Sequence, residues 1–260
     1  MSNFAALVQN ENMKIYRRAR TWIMFGLILV ANIVAAILMH RFSPDDYAAT
    51  HNMLDFMMDA RSMMFLSGVF TVVIAGDIVA SEFGWGTVKL LLIRPVKRWK
   101  ILLSKYVATL LFALCLIVFQ LIVSALIGGI TFGFGGETQV EGAGILFREY
   151  GFDCVDLLIT ATFSFMISTV FRSSALAISL ALVIMFIGNS IATALMAMKV
   201  EWAKYLLFTN MDLSIYFRDS SFIPLLPGMS LGFSVAVLAA YFVLFHIISF
   251  WVFLKRDVAA

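Results

Sequence analysis

Charged side chains are scarce in this sequence, which excludes a protein with an ordinary water-facing surface. Of its 260 residues only 13% are Asp, Glu, Lys or Arg, about half of the ~25% that soluble domains carry. Hydrophobic residues make up 62%, phenylalanine and methionine are frequent, and proline occurs only 4 times. This composition predicts an all-α polytopic membrane protein whose surrounding solvent is lipid.

Cysteine, histidine and catalytic motifs are also sparse. Cys115 and Cys154 form no CxxC pair and the 3 histidines are widely separated, so we expect neither a disulfide framework nor a metal site. The HExxH motif of metallohydrolases is absent, as is the GxxxxGK[ST] phosphate loop. We therefore expect no enzyme active site and no cofactor bound by this chain. If the chain is part of an ATP-driven pump, the ATPase is another polypeptide.

What the sequence does contain is six apolar runs, each long enough to cross a bilayer as a helix. About 20 residues suffice, because a helix rises about 1.5 Å per residue and the hydrocarbon is ~30 Å thick. The fourth run gives the weakest signal, since Asp153 and Asp156 lie at its start. We predict a single transmembrane domain, residues 1–260, with spans at 22–39, 62–81, 106–131, 152–171, 173–198 and 229–254.

The distribution of lysine and arginine predicts how these spans are oriented. With the N-terminus in the cytoplasm, 13 basic residues lie in the inner segments and 6 in the outer ones, as the positive-inside rule requires. Both termini are then cytoplasmic. The first apolar run is longer than the core of a signal peptide, so we expect it to remain in the membrane.

The segment before the first span, residues 1–21, predicts a cytoplasmic interfacial helix. Apolar residues recur there at helical spacing beside the basic residues Lys14, Arg17, Arg18 and Arg20. Such a helix lies on the inner leaflet and its basic side chains meet anionic lipid headgroups. A charged tail that only orients the first span is an equally good interpretation.

Four polar residues inside the predicted spans are candidates for a polar network or a substrate path. Asp77 lies about one turn from the cytoplasmic end of the second span, where it can pair with a basic residue of the N-terminal segment or the following loop. A proton-relay role is the alternative. Asn32, Gln120 and Asn189 are candidates for hydrogen bonds between helices, and lining the path is the weaker interpretation.

The loop at residues 82–100 has features that favour docking over a simple connector. It begins with "EFGWGT", continues with the apolar "VKLLLI" outside any predicted span, and ends with "RPVKR". Proline cannot continue a helix and disfavours a helical residue before it, so the apolar part predicts a short helix bounded by glycine and proline. Such an element is typical of docking onto a partner. A plain connector remains the alternative.

The stretch "SEFGWGTVKLLLIRPVKRWKILLSK" resembles the cytoplasmic loop of ABC-2 type transporter permeases. In that family a Glu, a Gly-Thr pair, a run of Leu and an Arg/Thr-Pro-x-x-Arg motif precede a Lys in the third span. The matching positions here are Glu82, Gly86, Thr87, Leu90, Leu91, Leu92, Arg94, Pro95, Arg98 and Lys105. The resemblance extends over the six-span plan, and it is closest to the small bacterial permeases of drug, bacteriocin and lantibiotic exporters.

The resemblance implies an ABC-2 (type V) exporter-like fold in the bacterial cytoplasmic membrane. Two permease subunits, identical or different, then pair, and each binds a cytoplasmic ABC ATPase that holds ATP and Mg²⁺. The partners are thus the ATPase, a second permease and membrane lipid, with no nucleic acid. Glu82 is the leading candidate for pairing with a basic residue of the ATPase. The implied coupling contact comprises Glu82, Gly84, Trp85, Gly86, Thr87, Leu91, Arg94, Pro95 and Arg98.

The predicted function is export of an amphipathic or hydrophobic cargo such as a peptide antibiotic, a drug or a lipid. Two other classes remain open at this point. A stand-alone secondary transporter or channel should carry several buried carboxylates or paired broken helices, and Asp77 alone offers anything similar. A non-transporting membrane immunity protein would dock a partner through the same loop without transport.

Overall fold

Every regular element of the described chain is helical. Apart from the side chains of 139–141, the computed structural model describes residues 4–42, 52–86, 96–134, 139–217 and 226–255. Within these ranges there is no strand, and six helices are long and apolar enough to cross a membrane. The predicted all-α architecture with six candidate spans is thereby confirmed.

Two helices begin the described chain, and the second is the first span. Helix α1 is Phe4–Tyr16 and α2 is Ala19–Phe42. A tight turn separates them, in which the Thr21 hydroxyl donates to the Ile15 carbonyl oxygen at 2.6 Å. Many large apolar side chains of α2 are exposed, as lipid-facing residues of a span are expected to be.

The second span is built from several short helices. A capping box starts it: the Asn52 side chain accepts from the Asp55 backbone N–H, and the Asp55 carboxylate accepts from the Asn52 N–H. The span therefore begins well before the predicted residue 62. Its elements are α3 (Met53–Ala60), a 3₁₀ turn (Arg61–Met63), α4 (Met64–Asp77) and α5 (Ala80–Gly84).

The third and fourth spans also begin earlier than predicted. Helix α6 is Arg98–Phe132 and α7 is Gln139–Val170, against predicted starts at residues 106 and 152. The charged residues that made the sequence prediction start later are paired with other helices. Lys105 of α6 pairs with Glu11, and Glu149 of α7 pairs with Arg61.

The last two spans flank an irregular segment. Helix α8 is Ser174–Ala197 and α9 is Leu231–Lys255, close to the predicted 173–198 and 229–254. Between them lie two 3₁₀ helices, Glu201–Tyr205 and Leu213–Phe217. Asn210 fixes this segment, because its amide donates to the backbone oxygens of Lys204 and Leu206 and its side-chain oxygen accepts from Ser234 of α9.

The second and fourth spans form the centre of the bundle. Their most apolar stretches are 67% and 61% buried, whereas those of α2, α8 and α9 are 22% buried. The core between them contains small side chains such as Ala75, Ala80 and Ala161, which allow close approach of the helices. Helices α2, α8 and α9 surround this centre and offer their apolar faces to lipid.

Candidate functional site

Helix α1 packs on protein along one face. Val8, Glu11 and Ile15 recur at helical spacing and are buried, because α1 lies against α6. Glu11 interrupts an otherwise apolar face in the sequence, and the structure supplies the reason: it has a buried basic partner. A helix is thus present at Phe4–Tyr16 and its buried face is directed at α6; its position at the membrane interface stays a prediction.

Four charged groups meet where α1, α5 and α6 come together; we term them the Lys105 cluster, consisting of Glu11, Lys14, Glu82 and Lys105. The Lys105 ammonium donates to Glu11 at 2.8 Å, to Glu82 at 3.0 Å and to the Ile78 carbonyl oxygen at 3.2 Å. Lys14 bridges the same two carboxylates at 2.9 Å each. The cluster is charge-balanced, which is the condition for keeping ions in a low-dielectric site.

Lys105 is the most deeply placed of the four, with 1% of its surface exposed. Lys14 lies nearer the surface. Burial alone would lower the pKa of Lys14, but its hydrogen bonds and attraction to Glu11 and Glu82 outweigh this and raise the pKa. The stabilisation that this ammonium gives is therefore fully present at neutral pH and is lost only as the pH rises through the raised pKa.

A second group, the Asp77 cluster, lies beside the first and consists of Arg18, Arg20 and Asp77. Both guanidinium groups donate to the same Asp77 carboxylate oxygen. The Arg18 guanidinium also lies 5.3 Å from the centre of the Trp85 ring, within range for a cation–π interaction. The pairing of Asp77 with basic residues of the N-terminal segment, one of the two pairings expected from the sequence, is present.

The four N-terminal basic residues thus differ in their surroundings. Lys14, Arg18 and Arg20 bind carboxylates of this chain, while Arg17 is exposed. Their side chains remain roughly a third exposed (40%, 31% and 36%), so contact with headgroups is compatible with these pairs. The sequence missed that these residues link the N-terminal part of the chain to Asp77 and Glu82 of the second span.

A break in the second span directs Glu82 towards Lys105. Helix α4 ends at Asp77 and α5 begins at Ala80. The Ser168 hydroxyl of α7 accepts from the backbone N–H groups of Val79 and Ala80, at 3.2 and 3.0 Å. These donors would otherwise be unsatisfied in the bundle. Ser168 is a positioning residue that no sequence pattern singled out.

The predicted coupling contact is described at its two ends. Glu82 and Gly84 lie in α5, and Trp85 follows with 72% of its surface exposed. Gly86 has a φ of 70°, the left-handed conformation in which glycine commonly terminates a helix. Arg98 is the first residue of α6. Thr87, Leu91, Arg94 and Pro95 lie outside the described residues.

Glu82 has partners within this chain. Its carboxylate binds Lys14 and Lys105, and the side chain is 13% exposed; its pairing with a basic residue of an ATPase stays a prediction. Trp85 is the exposed aromatic residue on the α5 side of this contact.

Two of the predicted intramembrane polar residues meet in the core. The Asn32 side-chain N–H donates to Gln120 at 2.9 Å, and the Gln120 amide donates to Asn32 at 3.2 Å and to the Ala60 carbonyl oxygen at 3.0 Å. Both side chains have no exposed surface. They therefore link the first three spans. Asn189 lies apart from them, in α8, where it lines a cavity of about 700 Å³.

Metal ligands do not gather at either cluster. Among the residues that the structure describes, no group of three or more His, Cys, Asp or Glu side chains could hold a metal ion. The chemistry of the site is that of ion pairs between helices. It ties the N-terminal helix to both helices that flank the segment after the second span.

These features define a multi-pass helical membrane protein, and comparison with known sequences assigns its family. The family model described as "Protein of unknown function (DUF2705)" matches residues 19–259, so the chain belongs to this family. The chain is similar to "Uncharacterized protein YhcI" of Bacillus subtilis (strain 168), with 36% identity covering 97% of this chain and 99% of the relative. It is also similar to "Uncharacterized membrane protein YdbK" of the same organism, with 29% identity covering 95% and 99%.

Proposed function

We propose that this chain is the membrane-spanning permease subunit of an ATP-binding-cassette exporter. In this proposal, ATP and Mg²⁺ bind a separate cytoplasmic ATPase, and the segment around 82–98 docks on it as the coupling element. A second permease subunit completes the translocation path in the bacterial cell membrane, with both termini cytoplasmic. The cargo is amphipathic or hydrophobic.

The observation that carries the proposal is the Lys105 cluster. Glu82 begins the docking segment and Lys105 follows it, and their charged groups are 3.0 Å apart. Both also bind α1. A displacement of the docking segment by an ATPase would therefore act on the second span, the third span and α1 together. This is the mechanical link that a coupling element needs, since packed helices move as rigid bodies between discrete arrangements.

The Asp77 cluster extends the same link. Arg18, in the turn after α1, and Arg20, in the first turn of α2, bind Asp77 at the end of α4, while Arg18 also faces Trp85 at the exit of α5. Trp85 is exposed and lies next to a fixed helix terminus, so it is suited to contact a partner. Aromatic residues at such positions are common anchors of protein interfaces.

Co-purification tests this function. The full chain, extracted in detergent, is mixed with a candidate phosphate-loop ATPase from the same organism, and the complex is isolated through the ATPase. We expect wild type to be retained, while Trp85→Ala and Arg94→Glu reduce retention. Trp202→Ala is the matched control, because Trp202 is 58% exposed but lies in the segment between α8 and α9. Equal retention of all four proteins, or of none, contradicts the proposal.

The stand-alone transporter remains the second function. Its supporting observation is the 700 Å³ cavity, whose lining includes Asp156 and three further aspartates. Reconstituted liposomes separate the two functions. Cargo movement that proceeds without any ATPase and follows an ion gradient favours the stand-alone carrier, whereas movement that requires both the ATPase and ATP supports the permease.

A further inference from the structure

A large cavity lies at the end of the bundle remote from α1. Its walls come from the second span, α7, α8 and the segment between α8 and α9. Arg61, at this end of the second span, is 16 positions before Asp77 in sequence, which corresponds to about 24 Å of helix. The volume of about 700 Å³ falls within the roughly 300–1,000 Å³ typical of sites for drug-sized ligands.

The basic group that lines this cavity is already neutralised. The Arg61 guanidinium makes two hydrogen bonds to Asp153, at 2.7 and 3.0 Å, and one to Glu149 at 2.5 Å. A bidentate guanidinium–carboxylate pair is among the strongest of protein ion pairs. Arg61 is thus held by two carboxylates of α7, and its positive charge is not in surplus.

Asp156 is different from these paired groups. It lies one turn further along α7, is partly buried and lines the cavity. Its Oδ1 atom is buried and accepts no hydrogen bond. The charged groups that act on it are Asp153, Asp212 and Arg61. Arg61 is the basic group among these, and its hydrogen bonds go to Asp153 and Glu149, so Asp156 shares this one cation with two carboxylates that are hydrogen-bonded to it.

Another cavity-lining group also lacks a partner. The Thr209 hydroxyl oxygen is buried without a hydrogen bond. Buried polar atoms are nearly always satisfied by protein, water or a ligand. Two such atoms in one cavity of ligand size therefore indicate an occupant that can meet both a carboxylate and a hydroxyl.

The rest of the lining is apolar and aromatic. Phe65, Phe152 and Phe208 contribute rings, and several methionines fill the gaps between them. Aromatic faces attract cations as well as apolar groups, and methionine side chains adapt to varied ligand shapes. This apolar and aromatic lining does not favour a hydrated inorganic ion.

We propose that this cavity binds a monovalent organic cation, with the charge of the cation against Asp156 and its apolar groups against Phe65, Phe152 and Phe208. As an assignment of cargo, this rests on the transport function proposed above. As an assignment of a binding site, it requires neither an ATPase nor a second permease.

Equilibrium binding to the full chain in lipid nanodiscs tests the site. The probe is tetraphenylphosphonium, and binding is measured as the excess over nanodiscs without protein. Tetraphenylborate, an anion of nearly the same shape, is the competitor that separates charge recognition from apolar partition. We expect saturable binding of the cation that the anion does not displace.

Two carboxylate variants localise the charge. Asp156→Asn should weaken binding at least about tenfold, which is ~1.4 kcal/mol, because it removes the charge and keeps the shape. Glu201→Gln is the matched control; Glu201 is exposed at the start of a 3₁₀ helix and does not line the cavity. Its effect should stay within about twofold, as for other surface changes. Size-exclusion profiles and thermal midpoints establish that both variants are folded.

Three results overturn the proposal: no saturable binding of the cation, equal displacement by the anion, or an unchanged affinity in folded Asp156→Asn. If that variant does not fold, the cation–anion comparison on wild type decides. Cation binding with no ATPase association would support this site and contradict the permease function. ATPase association without cation binding would support the permease function and contradict this site.

Discussion

Lys105 shows how much a single buried charge depends on its partners. Replacing it by methionine removes the ammonium but leaves Glu11 and Glu82 facing each other with only Lys14 between them. We expect Lys105→Met to lower the free energy of unfolding by about 3–5 kcal/mol, the range for removing one partner of a buried ion pair. Thermal or denaturant unfolding in detergent measures this.

The control for Lys105 is Lys97→Met, because Lys97 is exposed just before α6 and should change stability by less than about 0.5 kcal/mol. The double variant Glu11→Gln/Lys105→Met leaves the Lys14–Glu82 pair intact and balanced. It should be less destabilised than the sum of the single variants. Strict additivity would mean that the cluster does not act as a unit.

The Asn32–Gln120 pair gives a second prediction at this scale. Asn32→Leu leaves the Gln120 amide without one of its partners in the core, and we expect a loss of about 1–2 kcal/mol. Asn32→Leu/Gln120→Leu removes both polar groups and should recover part of the loss, although the bond to the Ala60 carbonyl oxygen is also removed. If the double variant loses the sum of the stabilities lost by Asn32→Leu and Gln120→Leu, the pairing is contradicted. Unfolding of the two single variants and the double variant under one condition provides the comparison.

Residue types alone were enough to predict part of this site. An aspartate near a span end beside a basic N-terminal segment predicts an ion pair, as found for Asp77 with Arg18 and Arg20. Two amides at mid-span positions predict a hydrogen bond. The role of Glu11 and Ser168 was not predictable, because their partners are distant in sequence and depend on how the spans pack.

At the scale of elements, close approach between α8 and the following segment has a measurable consequence. A Cβ added at Gly188 would lie 2.2 Å from the Phe208 ring, so Gly188→Ala must displace the ring or the segment that carries it. We expect a loss of about 1–3 kcal/mol, the usual cost of overpacking. Faster trypsin cleavage at Lys199 and Lys204 would report the displacement directly.

Gly26 provides the matched substitution for this test. It lies in α2, and a Cβ there would meet nothing within 4 Å. Gly26→Ala should be neutral or stabilise by up to about 1 kcal/mol, since alanine is the better helix former. Equal stability and equal cleavage of the two glycine variants would contradict the packing of Phe208 on α8.

The helix bounds show where sequence patterns succeed and where they stop. The uncharged runs predicted α8 and α9 closely. The starts of α6 and α7 were missed because hydropathy treats Lys105 and Glu149 as polar interruptions. In the folded bundle those charges are paired across helices, so the helices continue through them.

For the whole molecule, orientation is the property that the charge distribution predicts most strongly. Lys97 lies before α6 and Trp202 follows α8, and both are exposed. With Cys115 and Cys154 replaced by serine, we expect Trp202→Cys to react with a membrane-impermeant maleimide in intact cells. Lys97→Cys should react only after the cells are opened. The reverse pattern would invert the orientation, and labelling of both positions in intact cells would contradict six spans.

The packing of α1 on α6 also bears on how the chain is made. Helix α1 leaves the ribosome before any of its partners, since Asp77, Glu82 and Lys105 are synthesised later. Lys14 can pair with Glu82 once the second span has been made, but Glu11 meets Lys105 only when the third span follows. Helix α1 thus acquires its last ion-pair partner only after α6 has been made. The packing of α1 on α6 therefore becomes a late step of biogenesis, which a nascent chain that ends before α6 cannot complete.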